Sequence, residues 1–160
     1  MTKALVAGAL ERRLKTARVI ADPAARALLN LDVASGHVLE QLETITMTEG
    51  LSNTAYNVLR ILRGEPGGHP RGEIAARMVV HRADVTRLID GLVRRGFAIR
   101  MRPTIDRRLS VTRITPKGIK TLQRLQPPVD ALIARYGAKL SGPELIELNR
   151  LLERLYEDDV

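Results

Sequence analysis

The chain has 160 residues, of which 44% are hydrophobic, and this is enough for one domain with a buried core. It contains no cysteine, which excludes disulfides, thiolate metal sites and a thiol redox switch. No segment approaches the roughly 18 apolar residues of a membrane-spanning helix. The first 19 residues are typical of an amphipathic helix rather than a signal peptide, because charged residues follow the short apolar run with no cleavage site. We therefore expect a cytoplasmic protein without a membrane segment.

The positive charge is concentrated in one third of the chain. The net charge is +8, and residues 71–120 carry 13 of the 26 Lys and Arg residues but only 4 of the 18 Asp and Glu residues. This segment therefore has a net charge of +9, while the other residues together have a net charge of −1. Such concentration is typical of a surface that binds a polyanion, whereas charge kept only for solubility would be spread along the chain.

Helix-start signals and apolar spacing predict a helical first half. After the N-terminal helix, a long helix is predicted over residues 23–48, beginning at an Asp-Pro pair, and another over 53–63 with Ser52 as its N-cap. The stretch GEPGGHPRG, residues 64–72, is predicted to be a loop, because four glycines and two prolines cannot sustain a helix.

Residues 72–96, GEIAARMVVHRADVTRLIDGLVRRG, have the pattern of a helix-turn-helix. A short helix over about 72–78 precedes a turn and a longer helix over 82–96, whose apolar residues follow the i, i+3, i+4, i+7 spacing. The other side of this longer helix is basic, and such a helix can enter the major groove of DNA, where arginine reads guanine. We call it the recognition helix. Its residues expected to face DNA are Arg82, Ala83, Asp84, Thr86, Arg87 and Arg94.

A β-hairpin is predicted directly after the recognition helix. The segments FAIRMR, residues 97–102, and LSVT, residues 109–112, alternate apolar and polar side chains, as strands do. A helix-turn-helix followed by such a hairpin, here called the wing, is a winged helix, and its tip would contact the minor groove or nearby phosphates. The charged residues expected to bind DNA there are Arg102, Asp106, Arg107 and Arg108.

Two helices are predicted to complete the chain, over residues 116–137 and 142–157, the first interrupted or kinked at Pro127-Pro128. Leucines in the last helix recur three and four residues apart, which is typical of a coiled-coil-like seam. Terminal helices that flank a compact middle have little of their own chain to pack against, so we favour a homodimer over packing within one chain. The residues expected at the dimer interface are Leu31, Leu145, Leu148, Leu152 and Leu155.

The predicted fold class is mostly α (α+β), a winged helix-turn-helix with a two-stranded β wing flanked by dimerisation helices. We expect N-terminal dimerisation helices over residues 1–50, a DNA-binding domain over 51–118 and C-terminal dimerisation helices over 119–160.

The chain resembles the MarR family of bacterial and archaeal transcription regulators over roughly residues 24–157. DRRLSVTRITPKG, residues 106–118, is similar to the wing signature of that family, and VTRLIDGLVRRGFAIR, residues 85–100, is similar to its recognition helix and first wing strand. The resemblance implies a ligand-responsive homodimeric repressor that binds a pseudo-palindromic operator in double-stranded DNA.

The resemblance also implies roles for individual residues and for a small molecule. Arg108 would insert into the minor groove, and Asp106 would hold an arginine in position by a charge-assisted hydrogen bond. A small-molecule effector would bind between the dimerisation and DNA-binding domains and release DNA by a population shift. The sequence does not identify this effector.

Two positions before the recognition helix depart from the family pattern. Val79 stands where glycine is usual, so either the turn is built differently or Val79 packs inward, because a β-branched residue adopts a positive φ only at a cost. His81 stands where Ser or Asp commonly caps the helix, and the missing cap would weaken the helix start by about 1 kcal/mol.

Other functions have less support in the sequence. His37, His69 and His81 lie on different predicted elements without metal-ligand spacing, and there is no nucleophile–base pair, phosphate loop or paired-carboxylate frame. We therefore predict that the protein is not an enzyme and has no cofactor and no metal. The alternative hypothesis is an architectural protein that coats duplex DNA without reading its sequence, since a basic segment suits both functions.

Overall fold

The computed structural model describes residues 8–16, 19–79, 84–101 and 110–157, which are mostly helical. By their internal contacts, Met1–Leu42 and Glu43–Val160 are two separate units. No helix in the described ranges is long and apolar enough to cross a membrane. The elements in chain order are α1 Ala9–Leu14, α2 Pro23–Met47, α3 Asn53–Arg63, β1 His69–Pro70, α4 Arg71–Ala76, α5 Val85–Arg94, β2 Ala98–Met101, β3 Val111–Ile114, α6 Pro116–Gly137 and α7 Gly142–Glu153.

In the first unit, a buried ion pair joins α1 to α2. Glu11 is only 1% exposed, and Arg26 donates to both of its carboxylate oxygens, with 3.1 Å between Nη2 and Oε2. The backbone N–H of Gly8 donates to the same carboxylate at 2.7 Å. The bonds from Arg26, and after them the bond from Gly8, hold the pKa of Glu11 at about 2. A carboxylate is therefore accommodated in a buried position because its oxygens are bonded.

The core of the second unit is built from aliphatic side chains of four helices. Each comes from the apolar side of an amphipathic helix, so burial fixes which side of the helix faces solvent. α5, which corresponds to the predicted recognition helix, is oriented in this way. The core side chains that are at most 1% exposed include Leu59, Leu62, Ile74, Ile89 and Leu122.

The predicted hairpin is present, and it belongs to a three-stranded antiparallel sheet of order β1-β3-β2. β2 and β3 pair from Ala98 opposite Ile114 to Met101 opposite Val111. The mostly α (α+β) winged helix is thus confirmed, and β1 adds a third strand to the two that were predicted.

The added strand β1 was predicted to be part of a loop. It is only two residues long and lies in a Gly- and Pro-rich run, so the sequence has no alternation of apolar and polar residues that would predict a strand there. Gly68, with φ +84°, allows the chain to approach β3, because a Cβ there would lie 2.6 Å from the Thr112 carbonyl oxygen. The strand therefore depends on a close backbone contact rather than on side-chain alternation.

α6 begins as predicted but does not break where expected. Thr115 Oγ1 accepts a hydrogen bond from the Gly118 N–H at 3.2 Å and caps the helix. The helix then continues through Pro127 and Pro128 to Gly137, so the expected interruption is wrong, while a kink at the two prolines stays a prediction. Val129, which directly follows the prolines, is 8% exposed, and this packing compensates for the two missing N–H donors.

α7 leaves its apolar residues at the surface. It has no buried residue, and Leu148 is 41% exposed. The helix ends at Glu153 rather than at residue 157, so Leu155 lies beyond it and is 62% exposed. The predicted leucine seam is therefore only partly covered by the chain itself.

Candidate nucleic-acid interface

The start of α5 is capped, contrary to expectation. The helix begins at Val85 rather than at residue 82, and Asp84 Oδ1 accepts a hydrogen bond from the Arg87 N–H at 3.0 Å. We expected the helix to lack a cap because His81 stands at the usual capping position. The observed helix starts later, and Asp84, which the sequence suggested as a DNA contact, is its N-cap.

The exposed side of α5 presents two arginines without a partner. The side chains of Arg87 and Arg94 are exposed and make no hydrogen bond or ion pair with any residue that the structure describes. Thr86 lies on the same side, and Arg71 at the start of α4 reaches its Oγ1 at 3.4 Å. A third exposed guanidinium group, that of Arg71, therefore lies beside Thr86 of α5.

The turn before α5 sends Met78 rather than Val79 into the core. Met78 is 3% exposed and Val79 is 81% exposed, so the alternative in which Val79 packs inward is wrong. The Val79 N–H lies 3.4 Å from Asn57 Oδ1 of α3. Among the described residues Lys15 is the only non-glycine with a positive φ, so the turn is built without a left-handed residue at position 79. Residues 80–83, with Arg82 and Ala83, lie outside the described residues.

An ion pair ties the wing to the recognition helix. Arg100 of β2 and Asp90 of α5 are 2.5 Å apart, with both side chains partly exposed. The pair neutralises the one carboxylate that the periodicity placed in the middle of the exposed side of α5. On β3, Arg113 Nε donates to the Pro66 carbonyl at 2.8 Å and so holds the preceding loop to the sheet. The predicted tip residues Arg102, Asp106, Arg107 and Arg108 lie outside the described residues.

Arg95, which the sequence did not single out, connects the end of α5 to the turn after α2. Its Nη1 donates to the Gly50 carbonyl at 2.6 Å, and its Nη2 donates to the Glu49 carbonyl at 3.0 Å. These partners are 45 and 46 residues away along the chain, so no local sequence pattern predicts the contact.

The same turn is bound by α6. Arg124 holds the Glu49 carboxylate with two hydrogen bonds of 2.6 and 2.7 Å. These bonds lower the pKa of Glu49 and raise the pKa of Arg124. The turn is thus fixed by its backbone on one side and by its carboxylate on the other.

An open groove with a volume of about 660 Å³ runs beside α5 within the second unit. Met47, Ala55 and Leu88 contribute apolar lining, and Arg87 and Arg94 also line it. The two arginines therefore border both the exposed side of α5 and a concave apolar surface.

His69 lies in a buried polar contact. It is 4% exposed, with Nε2 at 3.2 Å from Arg77 Nη1 and Nδ1 at 3.5 Å from Glu73 Oε2. Across the part of the chain that the structure describes, no group of three or more His, Cys, Asp or Glu side chains could hold a metal ion. The side-chain partners of His69 thus come from α4 and the residue that follows it.

Comparisons with known sequences agree with this geometry. A profile of the MarR family matches residues 51–110. A regulatory protein assigned to the hcr operon of Thauera aromatica is 32% identical over 116 residues, which cover 72% of this chain and 69% of that protein. YkoM, an HTH-type transcriptional regulator of Bacillus subtilis strain 168, is 31% identical over 105 residues, which cover 66% of this chain and 68% of YkoM.

Solved structures with the same fold include the repressor CouR. CouR from Rhodococcus jostii RHA1 bound to p-coumaroyl-CoA has a TM-score of 0.73 and 22% identity, covering 87% of this chain and 95% of that chain. CouR bound to a 23-mer DNA duplex has a TM-score of 0.76 and 24% identity, covering 88% of this chain and 99% of that chain. The similarity therefore extends over most of the chain, beyond the helix-turn-helix alone.

Proposed function

Because the chain belongs to the MarR family of transcriptional regulators, we propose that it is a sequence-specific repressor that binds double-stranded DNA as a homodimer and responds to a small molecule. One observation carries the proposal of DNA binding: α5 is fixed by its buried side and presents Arg87 and Arg94 to solvent without a partner among the described residues. The family consists of regulators rather than enzymes, and we propose no catalytic activity.

In this proposal α5 lies in the major groove. Residues at the start of a recognition helix reach base edges, so Thr86 and Arg87 would read bases, together with Arg82, Ala83 and Asp84. Arg94, in the last turn of α5, would bind a backbone phosphate. The net charge of +9 over residues 71–120 supports this role, because phosphate neutralisation supplies much of the affinity for DNA.

The wing would bind the flanking minor groove. We propose that Arg108 enters the groove, that Asp106 orients an arginine, and that Arg102 and Arg107 bind phosphates. The pair between Asp90 and Arg100 supports joint docking, because it ties the first wing strand to the recognition helix.

The dimer would form through the terminal helices, in the regions that we assign to dimerisation, residues 1–50 and 119–160. In support, α7 has no buried residue, and a single helix with an exposed apolar side is stabilised by a partner. A twofold dimer presents two recognition helices and so requires a pseudo-palindromic operator with half-sites about one helical turn apart. The proposed interface residues are Leu31, Leu145, Leu148, Leu152 and Leu155.

The family resemblance implies an effector site between the domains; in place of it, we propose the groove beside α5, within the second unit. Its volume of about 660 Å³ suits a small organic molecule, and its apolar lining with Arg87 and Arg94 fits a ligand with an apolar body and an anionic group. The binding of p-coumaroyl-CoA by CouR supports such a ligand class. An anion in the groove would compete with DNA for Arg87, which would release the operator.

Selection from a randomised duplex pool, followed by titration at fixed salt, tests the proposed function. A repressor is expected to recover a pseudo-palindrome and to bind it about a thousandfold or more tightly than a scrambled duplex. A ratio near one would instead identify the architectural protein, which coats DNA through phosphates alone.

A further inference from the structure

We infer that Arg95 is a positioning residue for operator binding, which sets where the recognition helix ends relative to the turn that follows α2. The inference rests on the proposed function. Arg95 donates to the carbonyls of Gly50 and Glu49 at 2.6 and 3.0 Å. Two bonds from one planar guanidinium fix both the distance and the orientation of the turn, which a single bond would not. Arg94, the preceding residue, has no such partner among the described residues.

The Arg95 side chain is itself held in place. Its Cζ lies 4.7 Å from the centroid of the Phe97 ring, and Lys117 Nζ lies 4.8 Å from the same centroid. Lys117 also donates to the backbone carbonyl of Arg95 at 2.7 Å. The ring contact thus holds the Arg95 guanidinium beside Phe97, and Lys117 holds the Arg95 backbone at the end of α5.

The turn is shaped to receive this side chain. Gly50 has φ +67°, and a Cβ there would lie 2.9 Å from Arg95 Nη2. Glu49, whose carbonyl accepts from Arg95, binds Arg124 of α6 through its carboxylate at 2.6 and 2.7 Å. The turn is therefore held by Arg95 and α6 at once. Because Arg95 joins this turn to α5, a displacement of the end of α2 would also displace the recognition helix.

This placement matters more for reading bases than for attracting phosphates. Hydrogen bonds to base edges depend steeply on distance and angle, so a small shift of α5 weakens them. Attraction to the phosphate backbone acts over a longer range and tolerates such a shift. Loss of Arg95 should therefore reduce discrimination between duplexes rather than general affinity for DNA.

Alanine substitution of Arg95 and of its neighbour Arg94, each by itself, tests the inference. The two probes are the duplex that the wild-type chain selects and a scrambled duplex of the same composition. Arg95→Ala is expected to weaken binding to the selected duplex about tenfold, while binding to the scrambled duplex and the salt dependence stay nearly constant. Arg94→Ala should weaken both and lower the slope of log K against log salt by about one.

Three outcomes of that experiment would count against the inference. If Arg95→Ala weakens both duplexes equally and lowers the salt slope by about one, Arg95 is a phosphate contact. Unchanged discrimination would show that Arg95 positions nothing that DNA reads. A wild-type chain that selects no duplex would overturn the proposed function, and this inference with it.

A double-mutant cycle with Gly50→Ala perturbs the same contact without changing any charge. Alone, Gly50→Ala should reduce discrimination, because its Cβ displaces the guanidinium. In the Arg95→Ala background the clash is gone and only the backbone cost of alanine at φ +67° remains, so Gly50→Ala should reduce discrimination less than it does alone. Fully additive effects would overturn the inference. Thermal melts establish that each variant is folded. If Arg95→Ala does not fold, Arg95→Lys takes its place in the cycle, since it keeps the charge but not the planar fork.

Discussion

α5 and α7 are amphipathic helices of similar length, 10 and 12 residues, but only α5 buries its apolar side within the chain. Val85, Ile89 and Leu92 of α5 are at most 8% exposed, whereas no residue of α7 is buried. The apolar side of α5 is buried within the chain, and its charged side remains exposed to bind a ligand. In α7 the apolar side remains. In the proposed function, the exposed charged side of α5 binds DNA, and the exposed apolar side of α7 binds a second copy of the chain.

The largest expected effect comes from breaking the apolar surface of α7. Replacing both Leu148 and Leu152 by Glu should convert the dimer to a monomer. The two copies would then place four negative charges opposite each other across the interface. A monomer engages one half-site, so operator affinity should fall by about 10²–10⁴-fold. Sedimentation measures the first effect and duplex titration the second.

The matched control for this variant is Arg150→Gln, which also lies on α7. Arg150 pairs with Glu147 at the surface, at 2.7 Å, and such pairs contribute little to stability. The control should remain a dimer. A folded dimer that survives both leucine substitutions would show that α7 is not the interface and would remove the contrast with α5.

A smaller effect is expected at the charged surface of α5. Arg87→Ala should weaken operator binding by about 1–3 kcal/mol, because a base-reading guanidinium is lost. The melting temperature should stay constant, since the side chain is exposed and the backbone N–H that bonds to Asp84 is retained. Titration of the selected duplex and a thermal melt measure the two quantities, and a stability loss equal to the binding loss would contradict a DNA-facing role.

A still smaller effect separates the two roles of Asp84. Asp84→Ala should lower the free energy of unfolding by about 1 kcal/mol, because α5 loses its N-cap. Asp84→Ser keeps a capping oxygen and should restore stability. If the Asp84→Ser variant recovered stability but not operator affinity, Asp84 would contact DNA as well. Urea titrations and duplex titrations of the two variants make this comparison.

Helix boundaries that depend on local chemistry were predictable from the sequence. Ser52 and Thr115 cap α3 and α6 as expected, because a hydroxyl at an N-cap bonds an N–H only three residues ahead. The position of α5 after the turn was predicted within three residues, and its cap was missed because Asp84 was assigned to the DNA-facing side. Local signals thus determined most of the winged helix.

Features that depend on contacts far apart in sequence were not predictable. β1 exists because Gly68 lets two residues pair with β3, and Arg95 acts on a turn 45 residues away. Pro127 and Pro128 predict a break by local rules, yet burial of Val129 and Leu132 keeps α6 continuous. In each case a tertiary contact outweighs the local preference, and a single sequence does not show it.

The smallest expected effect concerns the N-cap of α7, which differs chemically from that of α5. The Ser141 N–H and hydroxyl both donate to Glu144 Oε2 at 2.7 Å, and these bonds lower the pKa of Glu144 below its ordinary value of 4.5. Because the folded pKa is the lower one, the bonds add stability above pH 4.5, and that stability is lost as the pH falls through the lowered pKa. Glu144→Gln keeps an acceptor oxygen but does not titrate. The free energy of unfolding of the two chains in urea should therefore differ most above pH 4.5 and converge in acid, whereas a difference independent of pH would mean that the Glu144 charge does not stabilise the start of α7.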